Sequence, residues 1–299
     1  MATKLTKSQL LDLLLRAVDE GGWRSLVASS THPFLLRVFR EDDRGLNLRI
    51  YIWNCTHGGG SARAKDEYRI QFTGVVPQLH EGEITLLLGW HDGYGVFVGW
   101  DIAKHSGQNS KSPSAQVKED ALANAHAHAF AIHRRQNNEN AVAFRPEFFV
   151  EYALNADSLH KTGKAAEDLS LLNSLETITD NQIGAITNRE RKLVLSQIAR
   201  KFRAYDFRRR VLGAYAHRCS ACGVQLELID AAHIIPVADP ASTDETVNGI
   251  ALCKIHHAAL DRNLMSIDEK YKVEISDSQI ERLADANLAG GLNLLSACR

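Results

Sequence analysis

Residues 226–240 read LELIDAAHIIPVADP, an apolar run with the composition of a β-strand that ends at His233 beside a proline-closed turn. Fifteen residues after His233, Asn248 precedes a glycine in the second apolar run, TVNGIALC. His257 follows nine residues after Asn248. The stretch therefore predicts a strand that presents an imidazole at its end, with an amide and a second imidazole close behind in the sequence.

Two cysteine motifs flank this stretch. Cys219 and Cys222 form C-x-x-C, and Cys253 forms C-x-x-H with His256 about 30 residues later. This pairwise spacing is typical of a tetrahedral structural zinc site, whereas a lone C-x-x-C would equally suit a redox pair. The cysteine count is odd and no export signal is visible, so a disulfide framework is not expected. The cysteines outside the motifs are Cys55 and Cys298.

Residues 207–275 resemble the HNH nuclease family, in particular its McrA-like, restriction-associated branch. The strings that carry the resemblance are IDAAHIIP, NGIALC and HHAALD, interleaved with the two cysteine motifs. The resemblance implies a β-hairpin and a helix around a catalytic metal, the ββα-metal fold, stabilised here by zinc. It covers about a quarter of the 299-residue chain.

The resemblance also assigns roles to individual residues. Phosphodiester hydrolysis needs a base that works near neutral pH, and we expect the imidazole of His233 to be that general base. In the family, the residue matching Asn248 orients the base. His257 and Asp261 lie four residues apart on one helix face and are expected to hold Mg²⁺ or Mn²⁺, while His256 turns toward the zinc.

The chain departs from the wider family at Ala232, where Asp or His is often a metal ligand. Asp230 is the candidate replacement, and it either completes the metal shell or caps the hairpin. Two other interpretations stay open: the histidines are ordinary structural residues, or the domain is degenerate and only binds.

Charge is concentrated in one segment. The chain has a formal net charge of -1, yet residues 188–218 hold ten Lys or Arg against two acidic residues. This imbalance favours a phosphate-facing surface over a solvated helix face. A glycine loop before residue 70 adds two further candidates. The expected DNA-binding residues are Arg63, Lys65, Arg200, Lys201, Arg203, Arg208, Arg209 and Arg210.

The first 154 residues are β-rich, which predicts an antiparallel sheet or barrel preceded by a helix over residues 5–20. A further helix is expected from Ser112 and Pro113 through residue 135. By analogy, a PUA- or SRA-like barrel that recognises modified cytosine would suit this pattern, and a module that recognises unmodified sequence would suit it equally. Strand aromatics such as Trp53 and Trp100 either build the core or form a pocket for an extruded base.

The sequence therefore predicts an α+β protein with a β-rich DNA-recognition domain (1–154), a helical basic connector (155–204) and a zinc-stabilised HNH domain (205–299). The expected function is Mg²⁺-dependent cleavage of double-stranded DNA in restriction or defence. A single HNH centre cuts one strand, so double-strand cleavage would need a homodimer. No membrane segment is visible, so the cytoplasm is the expected location. The alternatives are a zinc-dependent DNA-binding regulator without catalysis, and a nuclease acting on RNA or branched DNA.

Overall fold

The computed structural model describes residues 4–40, 45–57, 64–107, 113–135, 137–162, 164–268, 270 and 272–295. Contacts group the chain into two compact units, residues 1–202 and 203–299. Within the described ranges, no helix is both long and apolar enough to span a membrane.

The first unit combines two sheets with helices. Its strands are β1 (Arg24–Ser29), β2 (Phe34–Phe39), β3 (Leu46–Asn54), β4 (Thr56–His57), β5 (Glu67–Gln71), β6 (Ile84–His91), β7 (Val96–Trp100), β8 (Ser114–Lys118), β9 (Phe130–Arg134) and β10 (Asn140–Phe144). Its helices are α1 (Lys7–Glu20), α2 (Ile102–His105), α3 (Glu119–His128), α4 (Phe149–Leu159), α5 (Lys164–Leu169), α6 (Asp180–Gly184) and α7 (Arg189–Ala214), the last of which continues into the second unit from Arg203. Two short 3₁₀ helices span Pro146–Phe148 and Ser170–Ser174.

The large sheet has the strand order β1-β2-β3-β6-β7-β10-β9, with β1 and β9 at its edges in the described ranges. Of the two expected forms, sheet and barrel, an open sheet is observed. Its pairs are antiparallel except for β3 and β6, which run parallel. A tight turn over residues 91–95 joins β6 to β7, with His91 paired to Val96 across the two strands.

Apolar layers cover both faces of the large sheet, which explains the nearly continuous apolar runs in its central strands. Along β3, Ile50 and Ile52 join one core, while Tyr51 and Trp53 on the opposite face join another. The first core contains the buried faces of α1, α4 and α7. The helix predicted over residues 5–20 is confirmed as α1, and Thr6 and Gln9 form a capping box at its start.

The segment expected to act as a connector contributes to the first core. Leu159, Leu172, Leu195 and Ile198 are all fully buried there, together with residues of the large sheet. The apolar face of this segment is therefore an integral layer of the first unit. The assignment of a separate function to residues 155–204 stays a prediction.

The second core lies between the large sheet and a three-stranded sheet with the order β4-β5-β8. Trp53 and Trp100 are buried in it, so these aromatics build the core. The helix predicted from Pro113 through residue 135 is present only over residues 119–128, because residues 114–118 form β8 and residues 130–134 form β9. Ala115 and Val117 alternate with polar residues at period two and are buried in the second core, while the backbone of β8 pairs antiparallel with that of β5. Ser112, the expected helix cap, lies outside the described residues.

The second unit is a hairpin and a helix with small additions. Its strands are β11 (Ile229–His233), β12 (Gly249–Cys253), β13 (Met265–Ile267) and β14 (Val273–Ile275), its helices are α8 (Lys254–Asp261) and α9 (Asp277–Asp285), and 3₁₀ helices span Thr246–Asn248 and Leu292–Leu294. The apolar core between the hairpin, α8 and the end of α7 includes two of the motif cysteines, Cys219 and Cys253.

Candidate functional site

The hairpin and α8 position the candidate residues. In the antiparallel β11–β12 pair, His233 lies opposite Gly249 and Ile229 lies opposite Cys253. Helix α8 begins at the residue after Cys253, so the strand end, the second cysteine motif and the helical histidines follow one another without a linker. The expected β-hairpin and helix are therefore present.

The four predicted zinc ligands form one compact cluster. Their donor atoms all lie within 4.8 Å of one another, and it is the one such group of three or more His, Cys, Asp or Glu ligands found in the described ranges. The Sγ atoms of Cys222 and Cys253 are 4.0 Å apart, and the Sγ of Cys219 is 3.7 Å from Nδ1 of His256. A tetrahedral zinc with bonds of about 2.3 Å to sulfur places its ligands roughly 3.8 Å apart.

The electrostatics of the cluster also match a divalent cation. Burial and the neighbouring thiolates of Cys219 and Cys253 raise the pKa of Cys222 to about 11. Burial lowers the pKa of His256, which favours the neutral imidazole that binds metal. A cation among the thiolates removes the repulsion between them. The cluster can therefore hold a structural metal such as zinc.

His233 is held at the end of β11 by two contacts. Its ring stacks on Phe207, with ring centroids 4.0 Å apart and planes 8° from parallel. Its Nε2 lies 2.9 Å from a carboxylate oxygen of Asp244. Neither partner belongs to one of the sequence motifs. Phe207 lies on α7, one turn before Val211, and Asp244 lies in the loop between β11 and β12.

The buried Asn248 side chain fastens the loop that follows His233. Its Oδ1 accepts from the backbone N–H of Ile235 at 2.8 Å, and its Nδ2 donates to the carbonyl of Thr243 at 2.9 Å. The backbone carbonyl of Asn248 accepts from the N–H of Ile234 at 2.8 Å. Asn248 thus forms hydrogen bonds to the loop backbone on both sides of the turn. Its influence on the orientation of the His233 ring is therefore indirect, through the position of that loop.

His257 lies between two carboxylates. Its Nε2 is 3.7 Å from Asp261 and its Nδ1 is 3.7 Å from Asp230. Asp230 also forms an ion pair with Lys254 and lies 3.6 Å from Arg208. Burial raises the pKa of Asp230 and the Lys254 ammonium lowers it, with a net downward shift, so the carboxylate is ionised at neutral pH.

A cavity of about 600 Å³ joins the candidate catalytic residues. His233, His257 and Asp261 line it together with apolar side chains such as Leu260 and Met265. The candidate base and two candidate metal ligands therefore face the same space, while the cysteine cluster is a separate group of side chains. The structure brings His233, His257 and Asp261 together, whereas Asn248 and Asp230 do not line this cavity.

Gly249 is needed for space rather than for a turn. Its backbone is extended (φ -116°, ψ 142°), a conformation open to any residue. A Cβ at this position would lie 2.2 Å from Cγ2 of Val211 and 3.0 Å from the Phe207 ring. The glycine thus lets β12 approach α7, where Phe207 supports His233.

Gly249→Ala is therefore expected to destabilise the second unit by about 1–3 kcal/mol through overpacking. Gly213→Ala is the matched control, because no atom lies within 4 Å of a Cβ at that helical position. The control should be neutral or slightly stabilising, since alanine favours helix. Thermal unfolding of the two variants compares them, and equal midpoints would show that the close approach is unimportant.

The predicted basic residues differ in their surroundings. Arg208 and Arg209 are exposed at 50% and 62% of their side chains. Arg210 directs Nε to Asp206, Nη1 to Thr246 and the other terminal nitrogen to the carbonyl of Asp244, each at 2.7 Å. Arg208 also donates to the carbonyl of Ile229 at 3.0 Å, and Arg209 to Asp206 at 2.7 Å. All three arginines thus have partners within the protein, and Arg208 and Arg209 differ from Arg210 in their greater exposure to solvent.

The remaining basic candidates are also described, with one exception. Arg200 is exposed and Arg203 half-buried. Lys201 donates to the carbonyl of Gly21 at 2.6 Å within the first unit. Lys65 is exposed, and Arg63 lies outside the described residues together with glycines 58–60.

Comparison with known families agrees with this geometry. Residues 219–268 match the model of a family described as HNH endonuclease. Residues 46–153 match the model of a second family, Methylase-associated X1. No curated protein and no solved structure matches the chain. The second unit thus carries an HNH endonuclease domain at residues 219–268, as its motifs predict, and the chain combines it with a methylase-associated X1 domain at residues 46–153.

Proposed function

We propose that the chain is a metal-dependent DNA endonuclease that acts in restriction or defence. The observation that carries this proposal is the cavity of the HNH domain, in which His233, His257 and Asp261 face one space. A protein that only bound DNA would have no need for a base and a pair of metal ligands on one cavity. The proposed chemistry is hydrolysis of a phosphodiester bond.

In this proposal, His233 accepts a proton from the attacking water. The Phe207 ring and the loop fastened by Asn248 hold the imidazole in place, so little motion is required at the moment of reaction. His257 and Asp261 would hold Mg²⁺ or Mn²⁺, which would stabilise charge on the scissile phosphate and the leaving oxygen. Asp230 has its carboxylate in an ion pair with Lys254, so we assign it to orientation of His257 rather than to the metal shell.

The cysteine cluster has a separate role in the proposal. Zinc held by Cys219, Cys222, Cys253 and His256 would cross-link the start of the hairpin to the start of α8. Structural zinc contributes directly to folding in small domains. The cluster therefore stabilises the scaffold on which the catalytic residues are placed.

DNA contacts are proposed for the exposed basic residues, with Arg208 and Arg209 closest in sequence to the hairpin-supporting end of α7. Phosphate contacts carry no sequence information, so they give affinity rather than specificity. We assign specificity to the β-rich domain, residues 1–154, because residues 46–153 match a family named for its association with methylases. A sensitivity to DNA methylation is the behaviour that this pairing suggests.

The double variant Arg208→Gln/Arg209→Gln should weaken DNA binding and flatten its salt dependence. Each lost phosphate contact lowers the slope of log K against log salt by about 0.9. The change should be similar for all sequences. Arg282→Gln is the control, since it removes one arginine charge from α9 in the same unit. Binding is titrated at several salt concentrations without divalent cation, and an unchanged slope in the double variant would remove these arginines from the interface.

The function is tested by digestion of a matched substrate panel with Mg²⁺ or Mn²⁺. The panel holds unmodified, cytosine-methylated, adenine-methylated and phosphorothioated plasmids, with RNA and branched DNA as further arms. Cleavage of any of the plasmids supports the proposal, and the plasmid that is cut most rapidly identifies the preferred modification. Cleavage of RNA or branched DNA alone would change the substrate class. Binding without any cleavage would indicate a regulator. The order in which nicked and linear plasmid appear would show whether both strands are cut together, as expected of a homodimer.

A further inference from the structure

We infer that Asp244 is a positioning residue that selects which nitrogen of His233 acts as the base. The inference rests on the proposed nuclease function and deepens it. The Nε2 atom of His233 lies 2.9 Å from Oδ1 of Asp244. An ionised carboxylate can only accept hydrogen bonds, so this contact requires the hydrogen of the neutral ring to be on Nε2. Nδ1 then carries the lone pair that takes the proton from water.

The orientation of the ring is fixed by two independent contacts. The stack on Phe207, with planes 8° apart, restrains tilting of the imidazole. The bond to Asp244 restrains rotation within the plane of the stack. A ring with both restraints presents the same nitrogen to the cavity in each catalytic cycle, which is the arrangement that lowers the cost of reaching the transition state.

The loop that carries Asp244 is itself anchored on both sides of this residue. Arg210 donates to the backbone carbonyl of Asp244 and to the hydroxyl of Thr246, each at 2.7 Å. Asn248 donates to the carbonyl of Thr243 at 2.9 Å. These bonds place the carboxylate through the backbone, so its position does not depend on the hydrogen bond to His233 alone. Arg210 therefore serves the same positioning system.

The principal alternative is an incidental surface ion pair. The Asp244 side chain is 48% exposed, and exposed pairs contribute little to stability. The two interpretations predict different results for an isosteric change. In Asp244→Asn, the amide can donate to Nε2, which would move the ring hydrogen to Nδ1 and leave no lone pair facing water. An incidental pair would tolerate the same substitution.

The first test compares Asp244→Asn and Asp244→Ala with the control Glu245→Gln, which removes a charge at the next residue of the loop. We expect kcat for the best substrate of the panel to fall at least about 100-fold in Asp244→Asn, with Asp244→Ala no worse affected. The dissociation constant for DNA without divalent cation and the zinc content should stay at wild-type values in all three. Wild-type kcat in Asp244→Asn would overturn the inference.

The second test needs no activity. Histidine-selective ¹⁵N labelling and NMR near pH ~8, where imidazoles are neutral, report which ring nitrogen carries hydrogen. The His233 signals are identified by their absence in His233→Gln. We expect the Nε2-protonated form in the wild-type chain and a shift toward the Nδ1-protonated form in Asp244→Asn. The same form in both proteins would overturn the inference. If the wild-type chain cuts no substrate, the proposed function fails, while the spectrum still decides the role of Asp244.

Discussion

Replacement of Cys253 by serine will remove the metal and unfold the second unit, the largest stability effect expected in this chain. Structural zinc contributes about 10–16 kcal/mol to the folding of small zinc domains. The core of the second unit is small and includes Cys219 and Cys253, so it cannot compensate for loss of the cross-link. Metal analysis should give one zinc per wild-type chain and none in the variant.

Limited proteolysis locates the damage. We expect residues 203–299 to be digested in Cys253→Ser or after chelation, while residues 1–202 stay resistant because their two cores contain no motif cysteine. Cys55→Ala is the control, since Cys55 lies in a core of the first unit and its loss should leave the zinc content unchanged. Folded, soluble wild-type protein without zinc would contradict the structural role of the cluster.

Replacement of His233 by alanine will separate binding from cleavage. The change removes the proposed general base and leaves the zinc ligands, the exposed arginines and the β-rich domain in place. Loss of a general base typically costs about 10²–10⁴-fold in rate, so kcat should fall by at least about 100-fold. DNA affinity should remain close to the wild-type value.

The measurement is a gel shift without divalent cation beside a cleavage assay with it, on the same plasmid. His80→Ala, an exposed histidine of the first unit, controls for the loss of an imidazole. A His233→Ala protein that cuts at the wild-type rate would overturn the assignment of the base. Equal loss of binding and cleavage would instead show that His233 supports the fold.

The motif residues of the second unit could be predicted because their spacing encodes their geometry. Cys253 and His256 are three residues apart at the start of α8, so the helical repeat brings their side chains close together. His257 lies about 100° further around α8 than His256 and so points in a different direction. These relations involve residues that are close in sequence, so they can be predicted without knowledge of the rest of the fold.

The partners of His233 could not be predicted, because they depend on tertiary contacts. Asp244 lies eleven residues away in a loop, and only the bonds from Arg210 and Asn248 place it beside the ring. Phe207 lies on helix α7, whereas His233 ends strand β11. The role of Arg210 could not be predicted for the same reason. In the sequence it is one of several basic residues, whereas in the structure its guanidinium donates to Asp206, Thr246 and Asp244.

In the first unit, a sequence pattern typical of a helix start outweighed the alternation of apolar and polar residues that marks a strand. Pro113 after Ser112 resembles a helix start, but pairing of Ala115 with Ile70 on β5 makes residues 114–118 a strand. β1 is an edge strand with an exposed pattern, so it lacks the apolar alternation that marks a half-buried strand.

The most direct test of the proposed function is cleavage of supercoiled plasmid by the purified full-length, zinc-loaded chain as Mg²⁺ or Mn²⁺ is titrated in. The plasmid should be methylated in the form that the substrate panel favours, and the His233→Ala protein purified in parallel controls for contaminating nucleases. We predict nicked or linear product that increases with the divalent cation in the wild-type reaction and is nearly absent from the variant. Intact plasmid at every cation concentration, or equal cleavage by both proteins, would contradict the proposal that this HNH domain is a catalytic nuclease.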